Sequence, residues 1–233
     1  MRYARFMHVR LKSALRTFFF HLCLDVKVVG RREAGTHIYF LRMFDRIAVV
    51  EGDIVECGVG KMRSFKILAS LVLAEGSKRR LWGFDSFEGF PETRAEDVSP
   101  RDMQKGQWKY LDGERDVQMG LFIYGFKWLW ITEHIRIVKG FFSDSLPGNK
   151  VGTIALLHLD VDLHDSYTDC LTHLFPKVAK GGVVMFDEYA GRPEEGDAVK
   201  FPGAKLAIDA FFKDTPYRPQ KDSASGKYFL VKA

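Results

Sequence analysis

Residues 153–189 read TIALLHLDVDLHDSYTDCLTHLFPKVAKGGVVMFDEY. The first eight form an almost unbroken apolar run, the pattern of a strand buried on both faces, as parallel sheets require. A helical segment over 165–177 follows, and Gly181-Gly182 turns the chain into a second apolar strand over 182–187. Both strands deliver carboxylates at their C-terminal ends: Asp160 and Asp162 from the first, Asp187 and Glu188 from the second. A strand-helix-strand unit of this kind predicts an α/β fold, and open α/β sheets bind ligands at the carboxyl edge of their strands.

Upstream, Asp53-Ile54-Val55-Glu56-Cys57-Gly58-Val59-Gly60 is a short strand ending in an acid and two glycines, followed by a helical run over 64–74. Such a turn admits a ligand close to the backbone. The next strand, Leu81 to Asp85, ends on a carboxylate suited to the paired hydroxyls of a ribose. Nicotinamide-cofactor and S-adenosylmethionine folds share this arrangement. The dinucleotide fingerprint GxGxxG separates them: Gly58 and Gly60 fit, but Arg63 stands at its third position, where it is expected to obstruct helix-to-strand packing. A strand over 134–139 leads into Gly140 to Pro147, a loop placed to meet an adenine ring. With a C-terminal antiparallel pair near 217–219 and 227–232, the strands add up to a doubly wound, mostly parallel, seven-stranded sheet. A proline-bearing segment over 191–202 and a helix over 204–212 precede that pair.

Residues 86–133 make a long excursion between strands, polar and turn-rich at first and aromatic at its end. Insertions of this length are usually lids or binding segments, and two short helices covering the site are expected here; plain core packing of the aromatic run is the competing reading. Residues 1–50 form an N-terminal helical extension with helices over 2–28 and 36–50, ahead of a main domain over 51–233. The basic surplus of the chain, 35 Lys and Arg against 30 Asp and Glu, concentrates in the first 32 residues. No basic block interleaves with aromatics, which argues against nucleic acid as a partner. The basic amphipathic helix is expected to dock on the domain or on a second subunit, giving a homo-oligomer; contact with a membrane surface is the weaker alternative. Three cysteines, odd in number and widely spaced, argue for a reducing, cytoplasmic compartment and against a disulfide framework.

Asp160, Asp162, Asp187 and Glu188 are too many ionised groups to share one sheet edge without compensation. Two explanations remain open, a bound divalent cation or raised pKa values with shared protons. An all-oxygen donor set favours a hard ion, Mg²⁺ first, with Mn²⁺ or Ca²⁺ as substitutes. The bland reading makes them solvated strand-end acids or helix caps, with Asp165 a natural cap.

Four ordered motifs now carry a resemblance: Glu56-Cys57-Gly58-Val59 with Ser64 beyond it, FDSFEGFPE over 84–92, LLHLDVDLHDS over 156–166 and GGVVMFDEY over 181–189. Together they resemble the macrocin O-methyltransferase family, class I enzymes that use S-adenosylmethionine and a metal to methylate sugar hydroxyls of natural products. The resemblance covers about residues 45–215. It implies that Asp160, Asp187 and Glu188 are metal ligands and that Asp162 is the general base. It also implies that Glu56, Gly58, Val59 and Ser64 hold the methionine part of the cofactor, with Asp85, Ser86 and Phe142 at its ribose and adenine. The chain departs from the family pattern at Met62-Arg63 in place of a glycine pair, at Val161, at His164 and at Glu188. The acceptor expected is a saccharide or glycosylated small molecule. A catechol-type phenol, a nicotinamide-dependent oxidoreductase and a non-catalytic scaffold are the competing readings, and His158 and His164 are the alternative bases.

Overall fold

The strand that opens the deciding stretch stands fourth of seven, at the middle of the sheet. The computed structural model describes residues 31–99, 101–190 and 200–233. The helix expected over 2–28 lies outside them. The chain divides into two compact units, Met1–Gly35 and Thr36–Ala233, and the second contains the sheet. In chain order the elements are α1 (Arg31–Arg46), β1 (Asp53–Cys57), α2 (Arg63–Glu75), β2 (Leu81–Asp85), α3 (Glu114–Ile123), α4 (Trp128–His134) and β3 (Ile135–Lys139). They continue with α5 (Phe142–Ser145), β4 (Ile154–Leu159), α6 (His164–Leu174), β5 (Val178–Phe186), α7 (Pro202–Phe212), β6 (Gln220–Lys221) and β7 (Tyr228–Val231). The sheet order is β3-β2-β1-β4-β5-β7-β6, parallel from β3 through β5 and antiparallel where β7 and β6 are added.

Both faces of the central strands are covered, and β4 is buried along its whole length, as its apolar run predicts. On one face Val55, Cys57, Leu157, Leu159, Val184 and Phe186 pack against Tyr167, Leu171 and Leu174 of α6 and Ile208 and Phe212 of α7. On the other, Ile54, Leu156, Val183 and Met185 meet Phe40 and Met43 of α1, Ile47 in the turn after it, Phe65 and Leu68 of α2, and Val117 and Leu121 of α3. Helix α1 begins and ends earlier than the helix expected over 36–50, and its Tyr39, Phe40, Met43 and Phe44 belong to the core.

Two local expectations change. Strand β5 starts at Val178, so Gly181-Gly182 lies within it rather than ahead of it. Its pairing with β4 jumps from Ile154↔Val178 to Leu156↔Val183, and Gly181, at φ 79°, takes up the bulge. Arg63 does not obstruct the packing of α2, because it is exposed at the helix start and faces the cavity described below. The close approach is made at Gly83 of β2, where an added Cβ would lie 2.8 Å from Phe65 Cε2 and 2.9 Å from Val59 Cγ2. Among the described residues no helix is long and apolar enough to cross a membrane.

Candidate active site

At the carboxyl ends of β1, β2, β3 and β4 the fold leaves a cavity of about 470 Å³. The strand ends are drawn together by backbone bonds that extend the ladder: Gly58 N–H to Phe84 O at 2.9 Å, Asp160 N–H to Cys57 O at 3.0 Å and Asp187 N–H to Leu159 O at 3.0 Å. Gly58 is required at its position, since a Cβ there would lie 1.8 Å from the carbonyl oxygen of Asp160. Helix α2 begins after Met62, a left-handed residue that gives it no side-chain cap. Its first residues Arg63 and Ser64 line the cavity, so the uncapped first turn is suited to a carboxylate.

Asp85 ties the end of β2 to the glycine turn. Its Oδ2 accepts the Gly60 N–H at 3.0 Å and its Oδ1 the Phe87 N–H at 2.8 Å. The Ser86 hydroxyl closes its own loop, donating to Gly89 O at 3.0 Å and accepting from the Glu88 N–H at 3.1 Å. Gly58, Val59, Ser64, Asp85, Ser86 and Phe142 all line the cavity, as do Asp160 and Asp162. Glu56 does not. It points to the sheet face covered by α1, where its Oε1 meets His158 Nδ1 at 2.8 Å and its Oε2 has no hydrogen-bond partner among the described residues. Phe40 packs edge-on against the His158 ring. That engagement takes His158 away from the cavity, and His164, bonded through Nδ1 to Asp165, does not line it either.

The acids converge. Asp160, Asp187 and Glu188 each place one oxygen within 4.8 Å of the others. Glu188 is buried, and its Oε2 accepts from the Tyr167 hydroxyl at 2.6 Å and from the Asp162 N–H at 3.4 Å. Asp187 is paired through Oδ1 with the Lys227 ammonium. Burial, reinforced by Asp160 and Asp162, pushes the Glu188 carboxyl well above its ordinary range. Burial and then the charge of Asp160 do the same to Asp162, against a downward pull from Arg101. The ligand atoms that Asp160, Asp187 and Glu188 bring together are all oxygen. A hard divalent cation therefore fits Asp160, Asp187 and Glu188.

Asp162 has a left-handed backbone, φ 61°, and the Leu163 N–H reaches back over it to Val161 O at 2.6 Å. Such a three-residue γ-type turn is strained for a residue with a side chain, by roughly 1–3 kcal/mol, and persists only where its surroundings enforce it. It carries the carboxylate to the cavity wall. Asp165 is not the helix cap. Residue Leu163 holds that position, Asp165 sits in the first turn paired with Arg94 Nε at 2.5 Å, and the capping carboxylate comes from Asp97, whose Oδ1 accepts the His164 N–H at 2.8 Å.

The 86–133 insertion divides its labour. Helices α3 and α4, expected to cover the site, instead bury Val117, Leu121 and Ile131 in the core. The cavity wall comes from the stretch before them, through Phe90, Pro91, Trp108 and Tyr110. The Trp108 ring lies 5.1 Å from that of Phe90 and 6.0 Å from that of Phe201, and the Arg101 guanidinium stands over both Trp108 and Phe201. Sequence reasoning missed Tyr167, Lys227 and Asp97. Tyr167 left a faint signal as the hydroxyl-bearing aromatic on the buried face of α6. Lys227 and Asp97 are brought in by tertiary pairing and left none.

The macrocin O-methyltransferase family matches residues 42–206. The chain is 35% identical over 145 residues to 8-demethyl-8-(2,3-dimethoxy-alpha-L-rhamnosyl)-tetracenomycin-C 4'-O-methyltransferase of Streptomyces olivaceus, covering 60% of this chain and 54% of that protein. It is 33% identical over 164 residues to demethyldecarbamoylnovobiocin O-methyltransferase of Streptomyces niveus, covering 68% and 61%. The chain thus spans little more than half the length of these curated relatives. Among solved structures, the O-methyltransferase NovP superposes with a TM-score of 0.69 at 25% identity, over 85% of this chain and 80% of that one. The calicheamicin methyltransferase CalS11 gives 0.72 at 22% identity, over 89% and 82%, a likeness of fold.

Proposed function

The chain belongs to the macrocin O-methyltransferase family, and from that membership we propose that it transfers a methyl group from S-adenosylmethionine to a hydroxyl of a sugar or glycosylated small molecule, with a divalent cation, Mg²⁺ by preference. The observation that carries this reading is the placement of Asp162, held by a strained turn on the wall of a cavity also lined by the glycine turn, Asp85 and the aromatic rings of Phe90 and Trp108. The two curated relatives act, by their names, on a rhamnosyl-bearing tetracenomycin and on a novobiocin precursor, which supports a glycosylated acceptor.

S-adenosylmethionine supplies a methyl group on a sulfonium leaving group, so the protein's task is to align an oxygen behind that methyl and to remove its proton. Asp160, Asp187 and Glu188 would hold a divalent cation, which would supply Lewis acidity toward an acceptor hydroxyl. The uncapped start of α2 with Ser64 receives the methionine end, and Asp85 with Phe142 the nucleoside end. The aromatic wall of Phe90 and Trp108 stacks against the acceptor and keeps water out. Asp162 takes the proton. An ordinary aspartate is a weak base for an alcohol; burial and the Asp160 charge, by raising Asp162, reduce the mismatch.

The test is transfer of labelled methyl from S-adenosylmethionine to a panel of free sugars, glycosylated aglycones and catechols, with and without Mg²⁺. Metal-dependent labelling of a saccharide is the expected result. Labelling of catechols alone would move the acceptor class to phenols, and stabilisation by NADH rather than by S-adenosylhomocysteine in thermal unfolding would overturn the methyltransferase reading.

A further inference from the structure

Asp97 is only 6% exposed, although it lies in the polar half of the insertion. The sequence around it, Arg94-Ala95-Glu96-Asp97, has the composition of a solvated loop. Its two oxygens are spent on backbone. Oδ2 accepts the Arg94 N–H at 3.2 Å, closing the short 3-10 turn Ala95–Asp97. Oδ1 accepts the N–H of His164, 67 positions away, at 2.8 Å. His164 is the first residue of α6 and lies two beyond Asp162, and no side chain of its own segment caps that helix. A carboxylate at this place satisfies an orphan N–H and complements the helix dipole. Arg94 adds a second tie to the same helix turn through Asp165.

A third segment closes on the same carboxylate. At Gly203, in the first turn of α7, an added Cβ would lie 2.1 Å from Asp97 Oδ1 and 3.0 Å from His164 Cβ. The position tolerates no side chain while Asp97 keeps its place. The insertion, the turn carrying Asp162 and the start of α7 therefore meet on one side chain. The stretch of the insertion that forms the cavity wall is otherwise closed mainly on itself, by Gly106 N–H to Phe90 O at 2.9 Å and Phe90 N–H to Gln107 O at 3.0 Å.

We propose that Asp97 is a positioning residue, the fastening that sets the aromatic acceptor wall at a fixed distance from Asp162. It touches neither acceptor nor methyl donor. It acts by holding His164 N–H, and hence the exit of the strained turn at Asp162, against the segment that bears Phe90 and Trp108. The inference rests on the reading of Asp162 as the base.

Three variants test it: Asp97→Ala, Asp97→Asn and Gly203→Ala. Asp97→Ala is expected to leave S-adenosylhomocysteine affinity within about twofold, to lower kcat/KM for the acceptor by about 10- to 100-fold, as a misplacement of about 1 Å can, and to speed amide hydrogen exchange over 162–166. Asp97→Asn keeps an accepting Oδ1 and is expected to restore most of the rate and protection. Gly203→Ala leaves the carboxylate intact but displaces it, and is expected to reproduce the Ala phenotype. Unchanged acceptor kinetics and unchanged exchange in Asp97→Ala and Gly203→Ala overturn the proposal. So does a parallel loss of methyl-donor affinity and acceptor turnover that Asp97→Asn does not rescue, which marks a merely structural residue. If Asp97→Ala does not fold, the contrast between Asp97→Asn and Gly203→Ala still decides. Absence of methyl transfer by the unaltered protein sinks the functional reading instead, and hydrogen exchange at 162–166 then judges the fastening by itself.

Discussion

Asp162 gains basicity from burial and from the nearby charge of Asp160, while Arg101 pulls the other way, toward the ionised form. Replacing Asp162 with Asn keeps the shape of the turn and removes the proton acceptor. Asp162→Asn is expected to lower kcat by about 10² to 10⁴ while S-adenosylhomocysteine binds as before; turnover within a few fold of the parent would remove Asp162 from the role. Lys227 is the other residue whose charge matters. It stands opposite Asp187 because β7 pairs with β5 at Phe186↔Tyr228, and one step further along an antiparallel ladder brings 187 beside 227. On the proposed reading its ammonium, paired with Asp187, would compete with a divalent ion for the same carboxylate. Lys227→Met is therefore expected to tighten Mn²⁺ binding measured by titration calorimetry, and weaker or unchanged binding would show that Lys227 holds Asp187 in place rather than shielding it.

At the scale of elements, the short turn between β1 and α2 was legible from glycine spacing, and the loss of the third glycine at Arg63 was legible as a departure. What could not be read was where the helix would then find room. The structure makes the close approach on the neighbouring strand, with Gly83 facing Phe65, Val59 and Ile137 at 2.8–2.9 Å from a hypothetical Cβ. These are core side chains with little freedom to retreat. Gly83→Ala is expected to destabilise the fold by about 1–3 kcal/mol through overpacking, read as a lower urea midpoint with an unchanged slope; a midpoint within error of the parent would mean that α2 can lift from the sheet. The insertion shows the same limit. Its aromatic run predicted helices over the site or core packing; the helices bury Val117, Leu121 and Ile131 while Phe122, Tyr124 and Trp128 stay exposed, and the polar stretch before them lines the cavity.

At the scale of the molecule, the acid cluster sets a balance between fold and charge. Asp162 and Glu188 are both raised well above ordinary values, by burial first and by neighbouring carboxylates second. An unfolded chain releases these protons near pH 4, whereas the folded chain keeps them longer. The folded state then binds more protons, so this cluster's contribution to stability falls as pH rises through the window between the ordinary and the raised values. A cation bound at these acids would relieve their repulsion only where they are ionised. Added Mg²⁺ is thus expected to raise Tm more at about pH 8 than at about pH 5, with saturation at 100 times Kd worth about 2.7 kcal/mol. Equal shifts, or none, at both pH values would count against a cation at these residues. The α/β class, the strand-end acids, the glycine turn and the family are all written in the chain, because each rests on patterns local to a strand, a turn or a short motif. That Glu56 faces His158 and not the cavity, that Lys227 joins the acids, and that Asp97 caps the helix after Asp162 emerge with folding. Those three depend on which face a strand residue presents, on sheet register and on a contact across 67 positions, and none of these is a property of any short stretch of chain.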